Sequence, residues 1–193
     1  MPAGFKYDLN PMDVLKELCR FDTVYRLSGG FNFEDENVPD GTMLMPLVPL
    51  HVDFATRKAT AVKNVKVVEK VSSGTKIKIA KSSLVYKGMH LGNGTAGATV
   101  SSINTSNASY DELTMSAANL TPEAGDVLFE AAAADGTAPK TTANFLNYAV
   151  TKVEPGATVT AIGQAYEVRE SKLYVPISDK DKETLTSRFL FTI

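Results

Sequence analysis

Two residues, His51 and Asp53, have types and a spacing that could support acid–base chemistry. They alternate with the apolar residues Leu50 and Val52, and this period of two predicts a β-strand that carries both polar side chains on one face. An imidazole oriented by a carboxylate can act as a general base. Such a pair on a strand is more often a surface contact, and no nucleophile–base set can be assembled around it. We therefore predict no catalytic residue.

The other residues that could react or bind a metal each have a simpler interpretation. His90 lies in a glycine-rich segment with no carboxylate within three residues. Cys19, the only cysteine, adjoins the apolar face of a predicted helix and is interpreted as a small, partly buried hydrophobe. Asp179 and Asp181 follow Ser178 and suit the first turn of a helix, where acidic side chains interact favourably with the helix dipole. One cysteine and two histidines cannot form a cysteine- or histidine-rich metal site, so we predict no bound metal.

Three glycines, Gly92, Gly94 and Gly97, match the G-x-G-x-x-G spacing of dinucleotide-binding loops. That loop requires a helix directly after it, because the helix N-terminus faces the pyrophosphate. Residues 98–103, Ala-Thr-Val-Ser-Ser-Ile, are instead typical of a strand. The pattern therefore predicts a flexible loop between strands, and we predict no bound cofactor.

The composition argues against several other functional classes. The 193 residues are 44% hydrophobic and 22% charged, which is typical of a folded protein rather than a disordered one. The formal net charge of −2 argues against a dedicated nucleic-acid-binding protein, which is usually basic. No segment approaches the roughly 18 apolar residues of a membrane-spanning helix, and no signal peptide is recognisable. We predict neither a nucleic-acid partner nor membrane association.

From residue 42 onward the sequence predicts many short strands separated by turns. Leu50, Val52 and Phe54 alternate with polar residues, and so do Ile77 and Ile79 with lysines. Further strands are predicted at residues 99–103, 113–116, 127–130, 148–153 and 158–162, with a bent strand or hairpin at 167–173. Short strands with such turns between them are typical of sandwiches and barrels. We predict a mainly β protein, β-sandwich or barrel-like, with one or two small lobes and a short helix near each terminus.

Local signals also predict the helices and the division into domains. Asn10 is a suitable cap for a short N-terminal helix, and Ser178 for a second helix at 179–187. Pro39-Asp40-Gly41 is a turn signal, and residues 131–144 are rich in small and turn-forming residues. We predict an N-terminal arm with a short helix at 1–40, a β domain at 41–135 and a C-terminal β lobe with a short helix at 145–193.

Charged residues are distributed unevenly along the chain. Residues 57–87 contain nine basic residues and one acid, whereas residues 88–139 contain six acids and neither Lys nor Arg. Solvated strand faces are one interpretation, because lysines on edge strands prevent unwanted pairing. The other interpretation is electrostatic complementarity between copies of the chain, or with a charged partner.

Eight segments follow one another in a recognisable order: Gly41-Thr42, Leu50-His51-Val52-Asp53, Arg57-Lys58-Ala59-Thr60, Lys63-Asn64-Val65-Lys66-Val67, Thr75-Lys76-Ile77-Lys78-Ile79, Ala124-Gly125-Asp126-Val127-Leu128, residues 166–173 and Pro176-Ile177-Ser178. In these segments the chain resembles head fibre and head decoration proteins of tailed phages and prophages of Bacteroidales-type gut bacteria. The resemblance covers most of residues 40–193.

This resemblance implies a non-enzymatic virion protein on the capsid surface, bound to the major capsid protein and made in the cytoplasm of the bacterial host. It also implies a homo-oligomer, with a trimer favoured, and it supplies no catalytic residue. A minor capsid, neck or tail component is the nearest alternative. A carbohydrate-binding β module that recognises host-surface glycans is the second, although the chain has no Trp and its seven Tyr are scattered. A small enzyme is the third.

Overall fold

Sixteen strands and two short α-helices make up the part of the chain that the structure describes. The computed structural model describes residues 11–81 and 83–193, so the predicted helix cap Asn10 lies outside the described residues. The elements are, in order, α1 (Pro11–Leu18), β1 (Arg20–Arg26), β2 (Phe31–Phe33), β3 (Met43–Leu44), β4 (Pro49–Asp53), β5 (Lys58–Ala61), β6 (Asn64–Lys66), β7 (Lys76–Ile79), β8 (His90–Gly92), β9 (Gly97–Asn104), β10 (Asp111–Met115), β11 (Val127–Glu130), β12 (Phe145–Asn147), β13 (Thr151–Lys152), β14 (Thr158–Val159), β15 (Ala161–Arg169), α2 (Asp179–Leu185) and β16 (Phe189–Thr192). The prediction of a mainly β fold with two lobes and a short helix near each end is confirmed.

The larger sheet has eight strands that come from both ends of the chain. Its order is β1-β15-β12-β4-β5-β2-β14, and β16 pairs in parallel with β15. One apolar cluster, which includes Phe31 and Leu50, lies within this sheet. A second cluster contains Leu15 of α1, Ile162 of β15 and Leu185 of α2, so both helices pack on this lobe.

The smaller sheet is continuous in sequence. Its order is β6-β11-β8-β9-β10-β7, and all six strands come from residues 64–130. An antiparallel bridge joins Val67 to Ile79, and the Val68 N–H donates to the Lys78 carbonyl at 2.9 Å. These bonds connect the two outer strands, so the sheet curls around its own apolar core and leaves little open edge.

The chain enters and leaves the smaller sheet at one place. Asn64, the first residue of β6, pairs with Phe129 near the end of β11. The Glu130 N–H donates to the Lys63 carbonyl at 2.9 Å. The smaller sheet is therefore an insertion into the chain of the larger one, with its two connections hydrogen-bonded to each other.

The described part of residues 1–40 is integrated into the larger sheet. The sequence predicts no strand there, yet β1 pairs with β15, and β2 lies between β5 and β14. Leu15 and Phe31 are fully buried in the core of this lobe. We predict three units, at residues 1–40, 41–135 and 145–193. Strand pairing does not test whether each unit folds independently, so this division stays a prediction.

The predicted strand at residues 148–153 is confirmed only at Thr151–Lys152, which form β13. The structure places β12 earlier, at Phe145–Asn147, and leaves only the two-residue β13 nearby. The buried Asn147 conceals the strand, because a polar residue occupies a core position. Its amide nitrogen donates to the carbonyls of Met45 and Ala149 at 3.0 and 2.6 Å, which satisfies the donor group of this buried side chain.

The start of α2 is the predicted one. The Ser178 hydroxyl accepts a hydrogen bond from the Asp181 N–H, and the Asp181 carboxylate accepts one from the Ser178 N–H, which together form a capping box. The helix ends at Leu185 rather than at 187, because Thr186 adopts a φ of 60°. Within the described residues, no helix is both long and apolar enough to cross a membrane.

Three glycines allow two backbone segments to touch. Gly92 and Gly97 flank the turn between β8 and β9, and the backbone of Gly136 lies directly against both. The Gly94 N–H donates to the Gly136 carbonyl at 3.0 Å. A Cβ atom on Gly92 or Gly97 would overlap the Gly136 backbone. The spacing that matches a dinucleotide-binding loop therefore serves close packing between β8, β9 and the following loop.

We expect Gly97→Ala to lower the free energy of unfolding by about 2–3 kcal/mol, because the added methyl group must displace backbone atoms. Urea denaturation measures this loss. Gly94→Ala is the matched control, since its φ of 96° is unfavourable but nothing lies within 4 Å of the new Cβ. We expect this control to lose only about 1 kcal/mol. Equal losses in the two variants would contradict the packing role.

Candidate interaction surface

His51 and Asp53 share one face of β4, but their hydrogen bonds go to other partners. The His51 Nδ1 atom lies 3.0 Å from the Thr142 carbonyl oxygen. The Asp53 carboxylate accepts hydrogen bonds from the Thr56 hydroxyl at 2.7 Å and the Ala55 N–H at 2.8 Å. These two bonds lower the pKa of Asp53. Asp53 therefore shapes the turn between β4 and β5. His51 links β4 to the segment that precedes β12 in the same larger sheet.

His90 belongs to a strand rather than to the predicted loop. It begins β8, and its Nδ1 atom lies 2.8 Å from the hydroxyl of Thr99, its partner on β9. The glycine-containing turn is held by Asn93, whose Oδ1 atom accepts hydrogen bonds from the N–H groups of Thr95 and Ala96. Over residues 11–81 and 83–193, no three His, Cys, Asp or Glu side chains come together as a metal site would require.

Cys19 lies in the core that joins α1 to the larger sheet. Its side chain is buried, and its Sγ atom contacts the Leu15 carbonyl oxygen at 3.6 Å. Burial raises the pKa of the Cys19 thiol to about 11, with a smaller opposing effect from Arg169. At neutral pH the thiol is therefore protonated and shielded, which makes it a poor nucleophile.

We expect native Cys19 to react with iodoacetamide at pH 8 at least about 100-fold more slowly than in the urea-unfolded chain, because only the thiolate reacts. A shift in pKa from 9.0 to about 11 accounts for that factor, and burial adds to it. Mass spectrometry of timed samples measures the rate. Native labelling at the unfolded rate would show that the thiol is accessible.

A buried carboxylate, Asp181, connects three segments that are distant in sequence. Besides the Ser178 cap, its oxygens accept hydrogen bonds from the Ala143 N–H at 2.8 Å and from the Asn64 amide at 2.7 Å. The Asn64 amide also donates to the Pro176 carbonyl at 2.9 Å. Because Asn64 begins the smaller sheet and Asp181 lies in α2, this network fastens one lobe to the other. The sequence predicts the cap but not the long-range partners.

A second buried network surrounds Lys63, the residue before Asn64. The Lys63 Nζ atom lies 2.6 Å from Asp35 and 3.8 Å from Glu130, and all three side chains are less than 10% exposed. Glu130 also accepts hydrogen bonds from the Tyr86 hydroxyl at 2.6 Å and from the Lys140 ammonium at 2.8 Å. Burial and the bond to Glu130 raise the pKa of Tyr86, and the bond to Glu130 raises the pKa of Lys140.

The uneven charge distribution is largely neutralised within the chain. Lysines from residues 57–87 pair with acids from residues 88–139, and the surface pairs are Lys70–Glu123 at 2.5 Å, Lys76–Glu112 at 2.7 Å and Lys81–Asp111 at 2.6 Å. These contacts lie across the smaller lobe, and Lys63–Glu130 adds a buried one. The opposite charges of residues 57–87 and 88–139 are thus largely paired within one chain. Fewer of these charges are left for contacts between copies.

Aromatic side chains from distant parts of the sequence gather on one surface of the larger sheet. Phe54 is 53% exposed and makes edge-to-face contacts with Phe31 and Phe145, with ring centroids 5.4 Å apart in each pair. Gly163 extends this surface, because a Cβ there would lie 3.8 Å from Phe145 and 3.2 Å from Tyr25, which is 62% exposed. We refer to Tyr25, Phe54 and Phe145 as the aromatic face.

Two arginines border the aromatic face. The Arg57 guanidinium lies 4.3 Å from the centroid of Phe31, and that of Arg188 lies 5.1 Å from the centroid of Phe145. Within the described part of the chain, neither guanidinium forms an ion pair with a carboxylate. Exposed aromatic rings beside unpaired arginines are the composition that protein–protein interfaces favour.

Comparison with known proteins identifies the family of this chain. A family model described as head fiber protein matches residues 23–190, a range that includes strands of both sheets. No curated protein and no solved structure matches the chain. The predicted family resemblance is therefore confirmed. The chain belongs to the phage head fibre protein family and is a structural component of the phage head.

Proposed function

We propose that this chain is a non-enzymatic accessory capsid protein that binds the major capsid protein on the outer surface of the phage head, as a head fibre or decoration protein. The match to the head fiber family over residues 23–190 is the observation that carries this proposal. The fold is consistent with it, because the aromatic face offers a surface for another protein.

Three further features belong to the same proposal. The protein acts as a homo-oligomer, with a trimer favoured. It is made in the cytoplasm of the bacterial host before it joins the particle. The host belongs to the Bacteroidales-type gut bacteria, as the sequence resemblance implies.

Immunogold labelling of purified virions tests the location. We expect antibodies against this chain to decorate the head at many positions in electron micrographs. Virions from a phage in which the gene is deleted serve as the control for antibody specificity. Gold confined to the neck or tail would contradict the proposal and favour one of the other virion roles.

Reconstitution tests the partner. We expect the purified protein to bind deletion-mutant capsids, and to saturate at a fixed ratio to the major capsid protein as measured by quantitative gel electrophoresis. Bovine serum albumin at the same concentration controls for non-specific adsorption. Failure to bind heads that lack the protein would contradict direct attachment to the shell.

A further inference from the structure

We infer that copies of this chain contact one another head to tail, and that the turn between β4 and β5 of one copy inserts into an acidic groove beside β2 of the next. This inference rests on the homo-oligomer proposed above and identifies the surfaces that form it.

The inserted element is the turn that carries Phe54 and Arg57. The Phe54 ring, directly after β4, packs edge-to-face on Phe31 and Phe145 and still remains 53% exposed. Arg57 is held in place on the same turn, because its guanidinium donates to the Gly30 carbonyl at 2.8 Å and lies over the Phe31 ring. The turn therefore presents the exposed Phe54 ring with the fixed positive charge of Arg57 beside it.

The receiving surface is a groove of about 520 Å³ between the segment after β2 and the turn before β14. Phe33, Val38, Val153 and Pro155 contribute apolar lining. The acidic side chains of the groove are Glu34, Asp35, Glu36, Asp40 and Glu154.

Part of this acidity is already neutralised. Glu34 pairs with Lys58 at 2.7 Å, Asp35 is buried against Lys63, and Glu154 lies 3.5 Å from Lys152. Glu36 and Asp40 are exposed and have no ion-pair partner among the described residues. The groove thus combines an apolar lining with a rim of uncompensated negative charge.

The two surfaces complement each other in both respects. An exposed aromatic ring beside an unpaired arginine matches an apolar groove with unpaired carboxylates, and desolvated pairs of this kind give both affinity and orientation. The turn and the groove share no residue but adjoin in one copy, because Lys58, which follows the turn, pairs with Glu34 of the groove. A contact between two different surfaces is heterologous, and it closes into a ring where the rotation allows, as in a cyclic trimer.

The first experiment measures oligomerisation of the full-length protein without capsids. Analytical ultracentrifugation over a concentration series gives the dissociation constant. We expect Phe54→Ser to raise it by about 30-fold or more, as the loss of a central aromatic anchor does. Val68→Ser is the matched control, because Val68 is also exposed, at 46%, but lies on the smaller lobe. We expect Val68→Ser to oligomerise like the natural chain.

A charge exchange tests the orientation. We expect Arg57→Glu alone and Asp40→Arg alone each to weaken association by about 10-fold, and the double variant to recover much of the loss, because opposite charges then face each other again. Thermal unfolding followed by circular dichroism verifies that each variant is folded. Recovery in the double variant requires the side chains at positions 57 and 40 of neighbouring copies to lie near each other. If each single variant were merely less stable, combining them would not restore association.

The possible outcomes separate this inference from the proposed function. Normal oligomers in the Phe54→Ser and Arg57→Glu variants, or a natural chain that is monomeric at all concentrations, would overturn the inference. If Phe54→Ser leaves the oligomer intact but abolishes capsid binding, the aromatic face contacts the shell instead, and the inference is again overturned. A variant that dissociates yet still binds heads supports both the inference and attachment to the capsid.

Discussion

Replacing Asp181 with alanine is expected to lower the free energy of unfolding by about 4 kcal/mol, because the change leaves buried hydrogen-bond donors without an acceptor. The Asp181 carboxylate is 1% exposed and accepts from the Ala143 N–H, the Asn64 amide and the Ser178 N–H and hydroxyl. The reciprocal half of the capping box is among the lost bonds, whereas the N–H of residue 181 still donates to the Ser178 hydroxyl. Urea denaturation followed by circular dichroism measures the change.

Asp179→Ala is the matched control for this experiment. Asp179 lies in the same helical turn and carries the same charge, but its side chain is 96% exposed. We expect a loss of about 0.5 kcal/mol, from the helix dipole and from the exposed pair with Lys182 at 3.6 Å. Similar losses in the two variants would show that the buried contacts of Asp181 do not stabilise the fold.

Lys63→Met is expected to destabilise the protein by about 3–5 kcal/mol, because it leaves the buried Asp35 carboxylate without a positive partner and Glu130 with Lys140 alone. Asp35 and Glu130 both face Lys63 within 4 Å, and Lys140 compensates only Glu130. The unfolding midpoint in urea measures the effect.

Lys70→Met provides the comparison at the surface. Its pair with Glu123 is geometrically close, at 2.5 Å, but both side chains are 61% exposed. Exposed ion pairs contribute little, so we expect a change below about 1 kcal/mol.

The double variant Lys63→Met with Asp35→Leu should recover part of the lost stability, since it removes one unpaired buried charge. No recovery would contradict the role assigned to that pair.

Local patterns in the sequence are sufficient to predict part of this fold. The alternation of Leu50 and Val52 with polar residues places β4 correctly, and that of Ile77 and Ile79 places β7. Ser178 and Asp181 identify the start of α2, because a capping box involves residues only three positions apart. In each case the determining interactions lie within a few residues.

Interactions between distant residues account for what the sequence does not reveal. β1 contains polar and charged residues and becomes a strand because β15, more than 130 positions later, pairs with it. The aromatic face likewise requires Tyr25, Phe54 and Phe145 to meet through the folded sheet. Scattered aromatic residues therefore look uninformative in the sequence, although they form one surface in the structure.

The hydrogen-bonded junction at Lys63 and Glu130 has a consequence for how such proteins diversify. Both connections of the smaller sheet lie side by side, so removal of residues 64–129 would leave two chain ends that a short turn could join. Insertions with adjacent ends disturb their host least, which makes them exchangeable. The larger lobe is thus the scaffold expected of such an arrangement, and the smaller lobe is an insertion that can be replaced at a single site.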